Sequence, residues 1–249
     1  MDSTIGATQS EASIAANREY FLEHLREYEG LVSQIDTYAT IRRFISGRIA
    51  GLDNLLDVGN GGVFDYDTTR VGRITAIDLF LGDLPPEFIN RYFPKNVSLR
   101  AGSALALPEP DGKFDCVLMA MLLHHLTGSN WRECLTNVER ALAEGWRVLK
   151  PGGRLLIVES CIPQWFFTIE KPAFWVVSRL LKNVFSHPIT FQFPVRMIAD
   201  TLRRISDSLE LISIPKGKQI LQFGIKVPSF VTPVELYAIE AKKSSAGGG

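Results

Sequence analysis

"LLDVGNGG", residues 55–62, is a short apolar run that closes on an aspartate and three glycines in four positions. An unbroken apolar run of this length suits a strand covered on both faces, the kind found in parallel sheets. The glycines allow a tight turn and let another group come close to the main chain, with backbone N–H groups turned toward it. In open parallel sheets, ligands sit beyond the carboxyl ends of the strands, where strand order reverses. The stretch therefore predicts a first strand that ends at a ligand.

Outward from it, four more strand-like segments follow at 73–78 (RITAID), 97–101 (VSLRA), 114–120 (FDCVLMA) and 153–159 (GRLLIVE). Between the last two lies the clearest helix, "NWRECLTNVERALAEGWRVL" at 130–149. Asn130 is placed to cap it, Glu133 follows three residues on, and Pro151-Gly152-Gly153 stops it. Alternating strands and helices imply a parallel α/β sheet with right-handed crossovers. Upstream, residues 11–49 carry a helical pattern, with Tyr20, Phe21, His24 and Leu25 on one stripe and Ile35, Tyr38, Ile41 and Ile45 on a second. The expectation is an N-terminal helical cap, residues 1–52, laid over one edge of the main domain, residues 53–243. Within that domain, 161–207 is rich in aromatics and proline and is expected to form a lid over the ligand end. Two final strands are expected at 209–214 and 233–242, and 244–249 (SSAGGG) is expected to be a flexible tail.

Bulk properties narrow the function. The chain has 249 residues, with Lys+Arg and Asp+Glu both at 27. Such a balance provides no basic footprint for nucleic acid. Cys116, Cys134 and Cys161 form no CxxC pair, so they read as reduced core residues, with no metal site. The polar, acidic N-terminus lacks the basic and apolar regions of a secretory signal, and no apolar run approaches a bilayer span. A cytoplasmic protein is expected.

The second strand ends in Asp78, 21 residues after Asp57. An acid at about that spacing, closing the next strand, is placed to meet ribose hydroxyls. A nicotinamide reductase shares this feature, but GxGxxG fails at Phe64 and no tyrosine has lysine four residues later, as the short-chain type requires.

The segments "NVSLRAGSALALPEPDGKFDCVLMAMLLHHL" (96–126) and "RVLKPGGRLLIVES" (147–160) resemble the class I S-adenosylmethionine-dependent methyltransferases, in particular their small-molecule group. The resemblance spans residues 54–160. It implies a Rossmann-like seven-stranded, mostly parallel sheet with its last strand antiparallel, and S-adenosyl-L-methionine as cofactor. It implies that Asp57, Gly59, Asn60 and Gly61 shape the methionine end of the site and that Asp78 takes the ribose. Leu79 then lies against the adenine, Ser103 and Ala104 at its edge, and Met119 to Met121 beside the sulfonium. Three positions depart from the family's pattern. Val63 replaces a third glycine, only residues 63–72 separate the turn from the second strand, and Ser103 stands where an acid is usual. Asp65 or Asp67 of "FDYD" (64–67) either compensates by meeting the cofactor's amino group or caps a short turn.

His124 and His125 follow the fourth strand at the ligand end, where an imidazole can remove a proton from an attacking hydroxyl. They are the candidate catalytic bases, with His187 a weaker one and His24 a surface residue. Trp165, Phe166, Phe167, Phe174, Trp175, Phe191 and Phe193 either form a core of their own or line a lipophilic acceptor pocket. Lys171, Arg179 and Lys182 among them suggest shallow membrane contact. The expected function is methyl transfer to a small lipophilic metabolite, to oxygen before carbon or nitrogen, by a monomer or homodimer. The alternative is a relative that keeps the fold without methylating. The assignment requires Asp78 to face the crevice and the space beside Gly59 and Gly61 to be open.

Overall fold

The computed structural model describes residues 35–79, 81, 93–172, 190–222 and 225–245. The stripes at 20–25, His24, His187, Phe174, Trp175, Arg179 and Lys182 lie outside these residues.

Helix α1 (Asp36–Ile49) precedes strand β1 (Asn54–Val58), β2 (Arg73–Asp78), β3 (Val97–Ala101) and β4 (Phe114–Ala120). Helix α2 (Trp131–Val148) leads into β5 (Leu149–Cys161), and α3 (Val195–Arg203) leads into β6 (Ser208–Ile214). A hairpin of β7 (Gln219–Gln222) and β8 (Ile225–Pro228) precedes β9 (Glu235–Lys242). The seven-stranded sheet has the order β3-β2-β1-β4-β5-β9-β6. β9 runs antiparallel to both neighbours, and the other pairs are parallel. The chain builds outward from β1 to β3 on one side and resumes at β4 on the other. Strand order therefore reverses between β1 and β4, which opens the crevice at their carboxyl ends.

The sheet is buried on both faces. On one, α1 inserts Ile41, Ile45 and Ile49 against Leu55, Ile74, Cys116, Leu118 and Leu156. Each of these isoleucines is almost wholly excluded from solvent, worth roughly 1.5–3 kcal/mol apiece. The helix thus covers the central strands, and the expected placement over an edge is corrected: the apolar face of those strands would otherwise lie open. On the other side, α2 presents Cys134, Val138, Ala141 and Leu142. Its start is built as the sequence indicates. Asn130 Oδ1 accepts from the N–H groups of Arg132 and Glu133 at 3.0 and 3.1 Å. Glu133 in turn accepts from Asn130 Nδ2 and from the Ser129 N–H, each at 2.8 Å. All three cysteines are free and buried.

The expected lid divides. Residues 164–172 are helical, whereas Phe191, Phe193 and α3 pack into the main core with Phe167. Ile198, Ala199 and Leu202 of α3 are buried, so 190–207 is the crossover layer between β5 and β6 and not a lid. Trp165 is exposed. The β7–β8 hairpin was not expected; the Thr37 hydroxyl ties it to α1 by donating to the Gln219 carbonyl at 3.0 Å. Ser244, expected to begin a loose tail, donates to Asp207 and accepts the Gly152 N–H. Among the described residues no helix is long and apolar enough to cross a membrane.

Candidate active site

A cleft opens at the reversal point. It is lined by Asp57, Gly59, Asn60 and Gly61 from the first turn, and by Ile77, Asp78 and Leu79 from the end of β2. Ser103 and Ala104 follow β3, and Leu118, Ala120, Met121, His124 and His125 come from β4 and the turn after it. The cleft thus gathers ten of the eleven expected cofactor and base residues, all but Met119. Met119 is corrected. It points to the opposite face, where its methyl packs toward Gly145 of α2, because successive side chains of a strand alternate sides. Its neighbours Leu118 and Ala120 take the cleft side.

The turn itself works differently from expectation. Gly59, Gly61 and Gly62 have φ of +74°, +59° and +86°, a region that disfavours side chains. A Cβ on Gly61 would meet nothing within 4 Å, but one on Gly59 would lie 2.3 Å from Leu122 Cδ1. The group that comes close to Gly59 is therefore the protein's own leucine, and open space is found only beside Gly61. Nor do the turn's N–H groups await an anion. Gly59 donates to the Ile77 carbonyl at 2.7 Å, Gly61 to Asp78 Oδ2 at 3.0 Å, and Gly62 to Asn60 Oδ1 at 2.9 Å.

Asp57 is buried beneath this turn and accepts from the Tyr66 hydroxyl at 2.7 Å and from Asn60 Nδ2 at 2.8 Å. Burial pushes its carboxyl up to about 7, against the pull of those two hydrogen bonds, and the negative charges of Asp65 and Asp78 add to the rise. Asp65 lines the cleft, while Asp67 caps the 3₁₀ turn Thr68–Arg70 by accepting the Thr69 N–H. The capping reading of "FDYD" therefore holds for Asp67. That single turn replaces the helix for which 63–72 is too short.

At the far end, His124 Nδ1 lies 2.6 Å from Glu159 Oε1. Glu159 is buried at the end of β5 and also accepts the N–H groups of Leu123 at 2.6 Å and Ser160 at 2.7 Å. The His125 ring lies beside that of His124, with centroids 4.1 Å apart. Met121, between strand and turn, has φ +52°, a strained conformation of the sort that gathers at functional sites. Tyr66 and Glu159 were missed by sequence reading. The parity of β5 and the depth of Tyr66 carry no local signal.

Charge defines what the cleft accepts. Three carboxylates line it, with no lysine or arginine among the described lining residues. With the N–H groups of Gly59, Gly61 and Gly62 turned to the protein's own oxygens, its acidic lining offers a field suited to a cation. The residues fit a positively charged nucleoside: an acid at the sugar position, apolar walls at Leu79, Ala104 and Leu118, and open space at Gly61.

Residues 56–157 match the family described as "Methyltransferase domain". Over 120 residues the chain is 42% identical to a ubiquinone/menaquinone biosynthesis C-methyltransferase of Marinomonas sp. (strain MWYL1), covering 44% of this chain and 43% of that protein. It is 29% identical over 154 residues to a demethylmenaquinone methyltransferase of Tropheryma whipplei (strain Twist), covering 59% of each. The matched stretches span less than two thirds of these relatives' own lengths. Among solved structures, a Burkholderia thailandensis 1,6-didemethyltoxoflavin-N1-methyltransferase with bound 1,6-didemethyltoxoflavin and S-adenosylhomocysteine aligns with a TM-score of 0.59. Identity is 16%, with 98% of this chain and 94% of that one covered. The cyclase SpnF aligns at 0.55 and 15% identity, over 84% and 82%. At such identities the structural likeness shows a shared fold.

Proposed function

The chain belongs to the class I S-adenosylmethionine-dependent methyltransferase superfamily, and from that premise we propose that it methylates a small lipophilic acceptor. The observation that carries the proposal is the gathering of Asp57, Asp65 and Asp78 in one cleft at the point where strand order reverses. S-adenosylmethionine supplies, when bound, an electrophilic methyl group on a positively charged sulfur. Asp78 would accept from the ribose hydroxyls, and Leu79 would lie against the adenine with Ser103 and Ala104 at its edge. Asp57, steadied by Tyr66 and Asn60, would face the methionine end with Asp65. Leu122, Leu126 and Met121 enclose the acceptor end beside His124 and His125, and their apolar surface excludes water from the transfer.

The acceptor's reacting atom is oxygen on the sequence reading, and carbon by analogy with the quinone-biosynthesis relatives. A base that ionises a ring hydroxyl serves both, since conjugation places the negative charge on oxygen or on ring carbon. A second reading, a non-methylating relative of the same fold, is favoured by Leu122 filling the space beside Gly59. Calorimetric titration separates the two. The expected result is saturable binding of S-adenosylmethionine and S-adenosylhomocysteine in the micromolar range; absence of heat at millimolar ligand would leave the protein without a donor.

The raised Asp57 carboxyl makes binding depend on pH. Its folded value of about 7 lies above the ordinary 3.8, so the folded state holds this proton more tightly. Stability from this group is full below pH 3.8 and is lost as pH rises through 7. A cationic ligand prefers the ionised form. Affinity for S-adenosylmethionine should therefore be about tenfold weaker at pH 6 than at pH 8. Asp57→Asn should flatten that dependence and be more stable than the parent at pH 8, as measured by titration and urea unfolding at each pH.

A further inference from the structure

The contact between His124 and Glu159 joins residues 35 positions apart, on the turn after β4 and at the end of β5. At 2.6 Å it is a short contact between a ring nitrogen and a carboxylate oxygen, and both partners are largely withdrawn from solvent, at 12% and 2% exposure of their side chains. The carboxylate cannot swing away. Its Oε2 takes the Leu123 N–H, its Oε1 takes the Ser160 N–H, and the Ser160 hydroxyl is held in turn by Gln192 Nε2 at 2.9 Å. The His124 backbone is fixed as well, its carbonyl accepting the Phe191 N–H at 2.9 Å. An ionised carboxylate only accepts hydrogen bonds, so it selects the ring form that carries its proton on Nδ1. Nε2 is then the basic nitrogen of a side chain that lines the cleft.

The geometry points to Glu159 as a positioning residue that holds His124 in its Nδ1–H form, with Nε2 as the acceptor of a proton from an acidic hydroxyl, a phenol or enol, on the methyl acceptor. This rests on the methyltransferase reading and names its substrate class. In the step, the acceptor's O–H bond breaks, the proton moves to Nε2, and the electron pair stays on the acceptor's oxygen or, through conjugation, its ring carbon. A phenol, with an ordinary pKa of about 10, gives its proton to any base about five to six powers of ten more readily than an alkanol, whose hydroxyl resembles that of water. The rest of the cleft's acceptor end is apolar, with Met121, Leu122 and Leu126, which suits the ring that makes such a hydroxyl acidic.

The test uses the whole chain and two readouts besides turnover. In ¹⁵N-labelled protein, an imidazole N–H bonded to a carboxylate gives a far-downfield proton resonance. It should be present in the parent and absent in both His124→Asn and Glu159→Gln. The second readout is the absorbance of 4-nitrophenol, a phenol about as acidic as imidazolium, which shifts to longer wavelength on ionisation, titrated at pH 6 in the presence of S-adenosylhomocysteine. Free, it is mostly neutral at that pH; the parent should bind it mostly as the anion, and each variant should show at least a threefold lower anion fraction. S-adenosylhomocysteine affinity should change by less than about threefold. Glu159→Gln matching the parent in both readouts, or nitrophenol bound with no more anion than in free solution by the parent, overturns the proposal. If the parent binds no S-adenosylhomocysteine while the downfield resonance follows Glu159, the donor assignment fails and the pairing stands. Should Glu159→Gln not fold, His124→Asn decides through the nitrophenol readout: an undiminished anion fraction overturns the role, and its loss supports it.

Discussion

Replacing Asp78 with alanine should weaken binding of S-adenosylhomocysteine about 100-fold or more. The carboxylate is nearly buried at the end of β2, and one oxygen already accepts the Gly61 N–H at 3.0 Å. It therefore holds the glycine turn in place, and under the proposed function it would also accept from the sugar. A hydrogen bond to a charged group is worth about 1.5–3 kcal/mol, and two lost together amount to about 3 kcal/mol or more. Each 1.4 kcal/mol is tenfold in affinity, which gives the factor stated. Asp78→Asn keeps the shape and one acceptor oxygen, so its loss should be smaller, about tenfold. Calorimetry on both variants, with thermal unfolding to verify the fold, tests this. Unchanged affinity in Asp78→Ala would remove the sugar from this side of the crevice and with it the adenosyl assignment.

Gly59→Ala should be among the most destabilising single substitutions in the chain, by about 2–5 kcal/mol. Two effects add. An L-residue at φ +74° costs about 1–2 kcal/mol, and overpacking a core contact costs about 1–3 kcal/mol more. The second applies because the new methyl would stand 2.3 Å from Leu122 Cδ1. Gly61→Ala is the matched comparison. Its φ is also positive but its added methyl meets open space, so only the backbone contribution of about 1–2 kcal/mol applies. Leu122→Ala combined with Gly59→Ala should destabilise by less than the sum of the two, with a coupling of about 1–3 kcal/mol. Urea unfolding of the four variants reads this directly. Equal losses at Gly59 and Gly61 would mean that Leu122 yields freely and that the close approach has no energetic consequence.

Much of this protein is decided locally. The five apolar segments from 54 to 159 all became strands, and β1 to β4 kept their expected ends, because a run of Leu, Ile and Val bounded by Gly, Asp and Pro has few other uses. Asn130 and Glu133 began a helix because their side chains satisfy its first N–H groups wherever the rest of the chain lies. Asp78 reached the crevice because a residue closing a parallel strand beside β1 has no other end to occupy. Even the β7–β8 hairpin had a local signal, two short apolar runs around Gly224, that went unread.

Other features required the packed molecule. β4 is covered on both faces, so its sequence shows no polar alternation from which to tell that Met119 faces α2 while Leu118 and Ala120 face the cleft. Whether α1 would lie over an edge or a face depended on which strands were left uncovered, which its own periodicity does not encode. The approach of Leu122 to Gly59 and of Glu159 to His124 joins neighbours of different strands, set by sheet register and not by spacing along the chain. Local chemistry thus determined the elements and the end of the sheet at which a ligand binds. Tertiary packing decided which side chains meet there, because contacts across a sheet arise only once its strands have found their order.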